Sequence, residues 1–478
     1  MRNLLIKNAF IFTMTGEGLG IIENGSVHIQ GNRIAAAGPA ERMGQQNFQA
    51  DRVIDGKGML AVLPGFIDAH MHSGISLLRG LAQDVPEIEW MHKTIFPFLR
   101  HIGHRQLIAG ALLSVMEGLR YGTTTFGDWG YPVREVLDEV YIPLGLRAVV
   151  TQAVNGVRNG TDLSPDKKYP YDEEKGEKQL QENIELVKAY HRQYDDRVRV
   201  MFGPHAMDML SLDLLKKAYD KAREYKTFIH MHVAQGGREN RQMMLRYGRN
   251  AIDLLHTEGL LDHNLIAVHC HYASSAELKL MADNGVRMVS CPSSIGIIDA
   301  WISPLAEYIR YGGLAALGSD QACGNNNQNI LAELKVGALL NKTREKDPSI
   351  LPAWKMLRIA TIEGARTIGM DDIIGSIEPG KRADLILFDL NTPTLSPLIT
   401  RPLRNIAHNI VYAARGEEIS HVIVDGKIVK ENGKITILDE EKIMEEVRQA
   451  ARELMGKGGT DYLQAGSQMV RDAGKGIF

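Results

Sequence analysis

The pattern of apolar and polar positions changes twice along the chain. Between residues 4 and 60, short alternating runs break at Asn or Gly, which predicts strands joined by tight turns. From residue 61, short continuous apolar runs alternate with longer stretches of helical periodicity. Beyond residue 370 the short-strand pattern returns, and Asp425-Gly426 predicts the turn of a hairpin. The chain therefore predicts a strand-rich region at each end and a mixed α/β region between them.

The central region predicts a (β/α)8 barrel of the TIM type. The predicted strands lie at 62–69, 123–128, 146–153, 197–203, 227–233, 265–270, 286–290 and 314–319. The clearest predicted helices lie at 105–121, 181–194, 212–225, 250–259 and 275–284. Eight strand–helix units in about 300 residues are typical of this barrel. A doubly wound sheet is the alternative, but the chain contains neither a dinucleotide-binding fingerprint nor a phosphate loop.

The outer regions predict a second, smaller domain. The predicted divisions are 1–60 with 370–435 as a composite β-sandwich, 61–369 as the barrel, and 436–478 as a C-terminal helix (437–455) and tail. The segment 155–180 is long, polar and irregular, and it follows the third predicted barrel strand. A loop of this kind at the end of a barrel strand is often a lid, so we expect it to cover a site.

Composition narrows the class of protein and of partner. The chain has 478 residues, of which 44% are hydrophobic and 24% charged, and its net charge is −3. These values are typical of a soluble globular protein and give no electrostatic basis for binding nucleic acid or an anionic membrane. The three cysteines are too few for a disulfide framework, which predicts a cytoplasmic protein. The expected partner is therefore a small molecule.

Histidines concentrate at the ends of the predicted strands, where the catalytic groups of a barrel meet. Seven of the 16 histidines lie there: His70, His72, His205, His230, His232, His269 and His271. His70 and His72 are two residues apart, so on a strand both point to the same side. Neutral imidazole is a common ligand of zinc and other transition metals. The pattern therefore predicts a metal site rather than a chance group of histidines.

Several segments together resemble the amidohydrolase superfamily, and within it the subgroup of aminohydrolases and triazine chlorohydrolases. They are Pro-Gly-Phe-Ile-Asp-Ala-His-Met-His at 64–72, and the segments at 122–125, 203–205, 230–232, 268–270, 317–320 and 375–385. The resemblance covers nearly the whole chain and is more specific for the superfamily than for a substrate. It implies a metal-dependent hydrolase built on a barrel, and homo-oligomers (dimers or larger) are common in this family.

The resemblance also implies roles for individual residues. The implied ligands of one divalent metal ion are His70, His72, His232 and Asp320. Zinc is the expected metal and iron the alternative, and the end of the fourth strand has no lysine to bridge a second ion. His269 is expected beside the metal and the substrate, and His205 is expected to contact the substrate. A bound divalent cation lowers the pKa of water from about 15.7 towards about 7, and Asp320 can act as general base and then acid.

One position departs from the subgroup pattern. Its deaminases typically carry a glutamate three residues after the histidine of the fifth strand, where this chain has Gln235. An amide can donate a hydrogen bond but cannot transfer a proton. Either Gln235 only orients the substrate while Asp320 carries every proton, or Glu239 replaces the missing acid. The predicted catalytic residues are thus Asp320, His269 and Gln235.

Further substrate contacts are expected around this site. Trp90 and Trp301 can stack on a flat ring, although packing is an equal alternative for Trp301. Gln321 opens an amide-rich segment after Asp320 that can recognise the edge of a polar heterocycle. His230 lies two residues deeper than His232 in the predicted strand, and we expect it to be a packing residue.

The sequence therefore predicts a metal-dependent hydrolase. It would displace an amino, substituted-amino or halide group from an amidine-like carbon of a small nitrogen-rich compound, most simply a heterocycle. A cyclic amide hydrolase is the alternative within enzymes, and the missing lysine argues against it. A catalytically silent binding protein is the alternative outside enzymes, and the intact set of metal ligands argues against that.

Overall fold

The computed structural model describes residues 3–45 and 48–477. Within these residues the strands are β1 Leu4–Phe12, β2 Ile21–Gln30, β3 Arg33–Pro39, β4 Arg52–Asp55, β5 Leu60–Pro64, β6 Phe66–Met71, β7 Thr123–Gly130, β8 Arg147–Val154, β9 Val198–Pro204, β10 Ile229–Val233, β11 Leu265–His269, β12 Arg287–Ser290, β13 Leu314–Leu317, β14 Leu385–Asp389, β15 Ile419–Val424, β16 Lys427–Glu431 and β17 Lys434–Ile435. They form two sheets, and the central eight strands make up one of them.

Helices follow most of the barrel strands, and two more helices form the C-terminal part of the chain. The α-helical segments are Ala40–Gly44, Glu87–Glu89, Phe96–Leu99, His104–Arg120, Arg134–Val136, Ile142–Leu144, Glu173–Tyr190, Gln193–Asp196, Leu212–Glu224, Gly237–Tyr247, Ala251–Thr257, Ser275–Asp283, Pro292–Ile298, Leu305–Arg310, Ala322–Asn325, Ile330–Glu345, Ala353–Ile359, Ile362–Thr367, Ile406–Tyr412, Glu440–Ala465 and Gln468–Gly474. Ser73–Leu78 is a 3₁₀-helix, and Trp90–Ile95 and Leu137–Tyr141 are π-helical. Among the described residues, no helix is long and apolar enough to cross a membrane.

Strands β6 to β13 form the predicted barrel. They pair in parallel in chain order, and the sheet closes between Met71 and Asp320. At the closure the Asp320 N–H donates to the His70 carbonyl at 2.9 Å and the His72 N–H donates to the Asp320 carbonyl at 3.2 Å. The closure brings the chemically important ends of the first and last strands together. The predicted (β/α)8 architecture is therefore confirmed.

The barrel is a packed core rather than a pore. Buried apolar side chains from six of its strands belong to one cluster, including Ile67, Ala69, Val149, Met201, Ile266, Val268, Val289 and Ala316. This packing is typical of eight-stranded parallel barrels, whose chemistry lies at the carboxyl ends of the strands.

The two ends of the chain form the second sheet, as predicted. Its order is β17-β16-β15-β14-β5-β1-β2-β3, and β4 also pairs with β1. The hairpin β15–β16 turns at Asp425 and Gly426, whose φ angles of 49° and 76° are those of a type I′ turn. The hairpin turn predicted from Asp425-Gly426 is therefore confirmed. The exact domain boundaries stay predictions.

The predicted strand at 62–69 is wrong in one respect, because it combines two strands. β5 pairs with β1 and β14 in the second sheet, whereas β6 belongs to the barrel. The division falls at Gly65, where a Cβ atom would lie 2.0 Å from Oγ1 of Thr124. The residues on both sides of the division, Leu60–Pro64 and 66–67, are apolar, so the hydrophobic pattern shows no change at the point where the chain passes between the sheets.

The C-terminal helix is also longer than predicted. It extends from Glu440 to Ala465, through the glycine-rich segment that suggested an end near residue 456. A Cβ atom at Gly458 would lie 2.5 Å from Cδ1 of Phe98, so the glycine permits close packing instead of ending the helix. Further along, the Tyr462 hydroxyl donates to the Leu81 carbonyl at 2.9 Å. The helix therefore supports the segment between Leu81 and Phe98, which contributes to the wall of the site.

A buried ion cluster joins the barrel to the second sheet. Arg147 begins β8, is fully buried, and donates through Nε and Nη2 to both carboxylate oxygens of Asp384. Its Nη2 also donates to Asp425 Oδ1 at 3.1 Å. Since both aspartates belong to the C-terminal part of the second sheet, this cluster fixes how the sheet sits on the barrel.

Candidate active site

Four predicted metal ligands converge at the carboxyl end of the barrel. Ligand atoms of His70, His72 and His232 lie within 4.8 Å of one another, and so do those of His70, His269 and Asp320. Asp320 Oδ1 lies 3.3 Å from His72 Nε2 and 3.6 Å from His70 Nε2. The arrangement brings together residues that are 250 positions apart in the chain. This is expected because the catalytic groups of such a barrel lie at the carboxyl ends of its strands.

The donor set fits a divalent transition metal. Within the described residues, His70 Nε2 and Asp320 Oδ1 are buried and have no hydrogen-bond partner. Burial lowers the pKa of His70 well below its usual value and the pKa of His232 to about 4, so both imidazoles are neutral. Burial opposes the charge of Asp320, but the adjoining His70 and His72 hold the pKa of this carboxyl well below its usual range. Neutral imidazoles with a carboxylate form a typical zinc or iron ligand set.

Neighbouring groups orient three of the four predicted ligands by bonding the other polar atom of each side chain. His232 Nδ1 lies 2.8 Å from the His205 carbonyl, which leaves Nε2 for a metal. The Ser294 hydroxyl donates to Asp320 Oδ2 at 2.5 Å, which leaves Oδ1. His70 Nδ1 lies 3.0 Å from His230 Nε2. His230 therefore makes a polar contact with a predicted metal ligand, which the expectation of a packing residue did not include.

Trp129 is a residue of this site that the sequence analysis missed. Its ring centroid lies 5.2 Å from that of His72 and 4.9 Å from those of His205 and His232. Its indole N–H donates to the His230 carbonyl at 3.2 Å. Trp129 lies near the end of β7, and this position alone could have marked it as a candidate. It was missed because tryptophan is not a metal ligand.

A cavity of about 1340 Å³ opens beside the cluster. Trp129 lines this cavity, together with four of the strand-end histidines and most of the predicted substrate contacts: His72, His205, His232, His269, Trp90, Gln235 and Gln321. The helical segment from Glu87 to Arg100 forms one wall, and its π-helical turn begins at Trp90. Residues 157–163 of the predicted lid also line the cavity, so this loop does border the site.

Four of the five predicted substrate contacts line the cavity, and Trp301 does not. His205, Gln235, Trp90 and Gln321 line the cavity, and their binding roles stay predictions. Trp301 is 47% exposed and does not belong to the lining. The centroid of its ring lies 6.2 Å from that of Tyr272, which is also exposed. Its predicted contact with substrate is the least supported of the set.

Glu239 binds the backbone of Gln235, and its own side chain is not part of the lining of the large cavity. Its Oε2 accepts a hydrogen bond from the Gln235 N–H at 2.8 Å. Burial raises the pKa of Glu239 to about 8. Its side chain lines a separate cavity of about 170 Å³ with Asn250 and Tyr272. Gln235, and not Glu239, therefore lines the large cavity at the position where the deaminases of the subgroup typically carry a glutamate.

Comparison with known proteins agrees with this geometry. A model described as "Amidohydrolase family" matches residues 61–429, which is most of the chain. The chain belongs to the amidohydrolase family. The predicted resemblance is confirmed, and so is the predicted enzyme class, a metal-dependent hydrolase of carbon–nitrogen bonds other than peptide bonds.

Two relatives are similar to this amidohydrolase over nearly its whole length. The 5-methylthioadenosine/S-adenosylhomocysteine deaminase of Pelotomaculum thermopropionicum is 33% identical over 457 residues, covering 96% of this chain and 100% of the relative. The 5'-deoxyadenosine deaminase of Methanosarcina acetivorans is 32% identical over 457 residues, covering 96% and 99%.

Solved structures share the same architecture. An adenosine deaminase from Xanthomonas campestris with bound zinc superposes with a TM-score of 0.86 at 26% identity, covering 95% of this chain and 98% of that one. An atrazine chlorohydrolase from Arthrobacter aurescens TC1 complexed with zinc gives a TM-score of 0.82 at 20% identity, covering 94% and 100%. The second likeness concerns the fold alone.

Proposed function

We propose that this amidohydrolase holds one zinc ion and hydrolyses the exocyclic amino group of an adenosine-like nucleoside or a related nitrogen-rich heterocycle, releasing ammonia. The observation that carries the proposal is the convergence of His70, His72, His232 and Asp320 beside a large cavity. β9 supplies no lysine at its end, which favours one metal ion over two. The cytoplasmic location and the homo-oligomeric state stay predictions.

The size of the cavity favours a substrate larger than a bare ring. Its volume of about 1340 Å³ exceeds the range of about 300–1,000 Å³ that is common for small-molecule sites. Trp90 and Trp129 provide aromatic surface for a flat heterocycle, and the cavity has room for a substituent. Relatives named as deaminases of 5-methylthioadenosine, S-adenosylhomocysteine and 5'-deoxyadenosine support a nucleoside.

The side chains around the ligands can perform the proton transfers. A bound divalent cation would supply the acidification of a water molecule. Asp320 is positioned to take up the proton of the attacking water and to return it as the carbon–nitrogen bond breaks and ammonia leaves. Burial lowers the pKa of His269 well below its usual value, so its neutral imidazole can donate a hydrogen bond to the substrate. Ser294 holds Asp320 in place.

Displacement of halide is a second candidate, and Gln235 is the observation that favours it. Protonation of a ring nitrogen or an amine needs an acid, which the amide of Gln235 does not provide. A halide departs as an anion and needs no proton. The same cavity could therefore act on a halogenated heterocycle without the missing glutamate.

A paired substrate panel tests both candidates. Amino and chloro forms of purine nucleosides and of triazines would be incubated with the zinc-loaded protein, and ammonia and chloride would be measured separately. Ammonia release from at least one aminated nucleoside is the expected result. Chloride release alone would replace the main proposal with the second candidate, and release of neither product would contradict both.

Gln235→Glu tests the position directly. We expect it to raise the rate of ammonia release by about 10-fold or more, since a well-placed general acid contributes about 100- to 10,000-fold. Chloride release should change little. Gln179→Glu is the matched control, because Gln179 lines another wall of the same cavity. An equal response of the two variants would show that charge, not proton transfer at position 235, is responsible.

A further inference from the structure

A chain of two hydrogen bonds extends from a metal ligand across the barrel. His70 Nδ1 lies 3.0 Å from His230 Nε2, and His230 Nδ1 lies 3.0 Å from the Thr151 hydroxyl. All three side chains are at most 1% exposed. They come from β6, β10 and β8, so the contacts depend on the closed barrel and not on neighbouring positions in the sequence.

The direction of the first hydrogen bond decides whether His70 can bind a metal. Two imidazole nitrogens at this distance share one proton. If His70 Nδ1 holds it, the lone pair of His70 lies on Nε2, which points towards Asp320. If His230 Nε2 holds it, a neutral His70 carries its proton on Nε2 and has no electron pair there for a metal.

Thr151 is suited to either direction. When His230 accepts from His70, His230 Nδ1 carries a proton and donates to the Thr151 oxygen. In the opposite direction the Thr151 hydroxyl donates to His230 Nδ1. A hydroxyl can do both, so Thr151 can also accept from His230 Nδ1 in the first direction, the only one that leaves an electron pair on His70 Nε2 for a metal.

We propose that His230, held by Thr151, is a positioning residue that accepts from His70 Nδ1 and so stabilises the His70 tautomer with its lone pair on Nε2 when a metal is bound. This inference rests on the metal site of the proposed function. An outer partner that accepts from a metal-bound histidine fixes its orientation and tautomer, and loss of such a partner typically weakens metal binding by about 10- to 100-fold. Here an imidazole takes the place of the more common carboxylate or carbonyl acceptor.

Zinc affinity of the full-length protein, measured by competition with a chelator, tests the proposal. We expect His230→Leu to weaken zinc binding by about 10- to 100-fold, because it removes the acceptor. His230→Glu restores an acceptor that cannot donate, and we expect its affinity to stay within about 10-fold of the wild type. The visible spectrum of the cobalt-substituted protein should change in His230→Leu and resemble the wild type in His230→Glu. Thermal unfolding of the metal-free proteins checks the fold.

Thr151 provides an independent test with a matched pair. Thr151→Val keeps the shape and removes the hydroxyl, so zinc binding should weaken, whereas Thr151→Ser should resemble the wild type. Unchanged zinc affinity in His230→Leu would overturn the inference, and so would an equal loss in His230→Leu and His230→Glu, which would indicate packing alone. A wild-type protein that takes up no zinc would instead overturn the proposed metal site itself.

Discussion

Asp320→Asn is expected to lower kcat/KM by at least about 1,000-fold, because it replaces the proposed carboxylate ligand by a neutral amide and removes the proposed proton carrier. Asparagine keeps the size of the side chain and the backbone hydrogen bonds that close the barrel at His70 and His72. The fold should therefore survive. Steady-state ammonia release, together with circular dichroism and thermal unfolding, would measure both parts of this expectation.

Asp299→Asn is the matched control for this variant. Asp299 lies beside His271, with 3.5 Å between Oδ2 and Nε2, and it is outside the cluster of metal ligands. Burial raises its pKa to about 7. We expect its loss to change the rate much less than the loss of Asp320. Substantial activity in Asp320→Asn would refute the proton-transfer role.

Arg147→Met is expected to have the largest effect on stability. It would leave Asp384 and Asp425 buried without their shared partner, and breaking a buried ion pair in this way typically costs about 3–5 kcal/mol. The expected result is a large fall in the midpoint of urea unfolding, with the second sheet separating from the barrel before the barrel unfolds. Limited proteolysis followed by mass spectrometry would show which part opens first.

Arg310→Met is a suitable control for that experiment. Arg310 pairs with Glu345 at 2.6 Å, but the arginine side chain is 54% exposed. Exposed pairs contribute little to stability, so the midpoint should hardly move. If the two variants lost equal stability, the buried cluster would not be what joins the sheet to the barrel.

Much of the site could be predicted from the sequence because its rules are local. A histidine pair at i, i+2 at the end of an apolar run places both imidazoles on one face, as at His70 and His72. Barrel geometry then brings the ends of distant strands together, and the resemblance to the amidohydrolase superfamily singled out His232 and Asp320 among the residues there. The Asp425-Gly426 turn was predictable for the same reason, since its backbone angles depend on two adjacent residues.

The remaining features depend on contacts between distant parts of the chain. Gly65 ends a strand because Thr124 packs against it, and Gly458 continues a helix because Phe98 packs against it. Nothing next to these glycines in the sequence distinguishes a close contact from a turn. Likewise, the role of His230 depends on a hydrogen bond to His70, 160 positions away, and strand periodicity alone suggested packing.

Metal content is the decisive measurement for the proposed zinc hydrolase. The purified chain would be analysed by inductively coupled plasma mass spectrometry, stripped with a chelator, and reloaded while ammonia release from the best substrate is followed. We expect close to one equivalent of zinc per chain, loss of activity on stripping, and recovery on reloading. Full activity in a protein with well under one equivalent of zinc, iron or manganese would contradict this proposal.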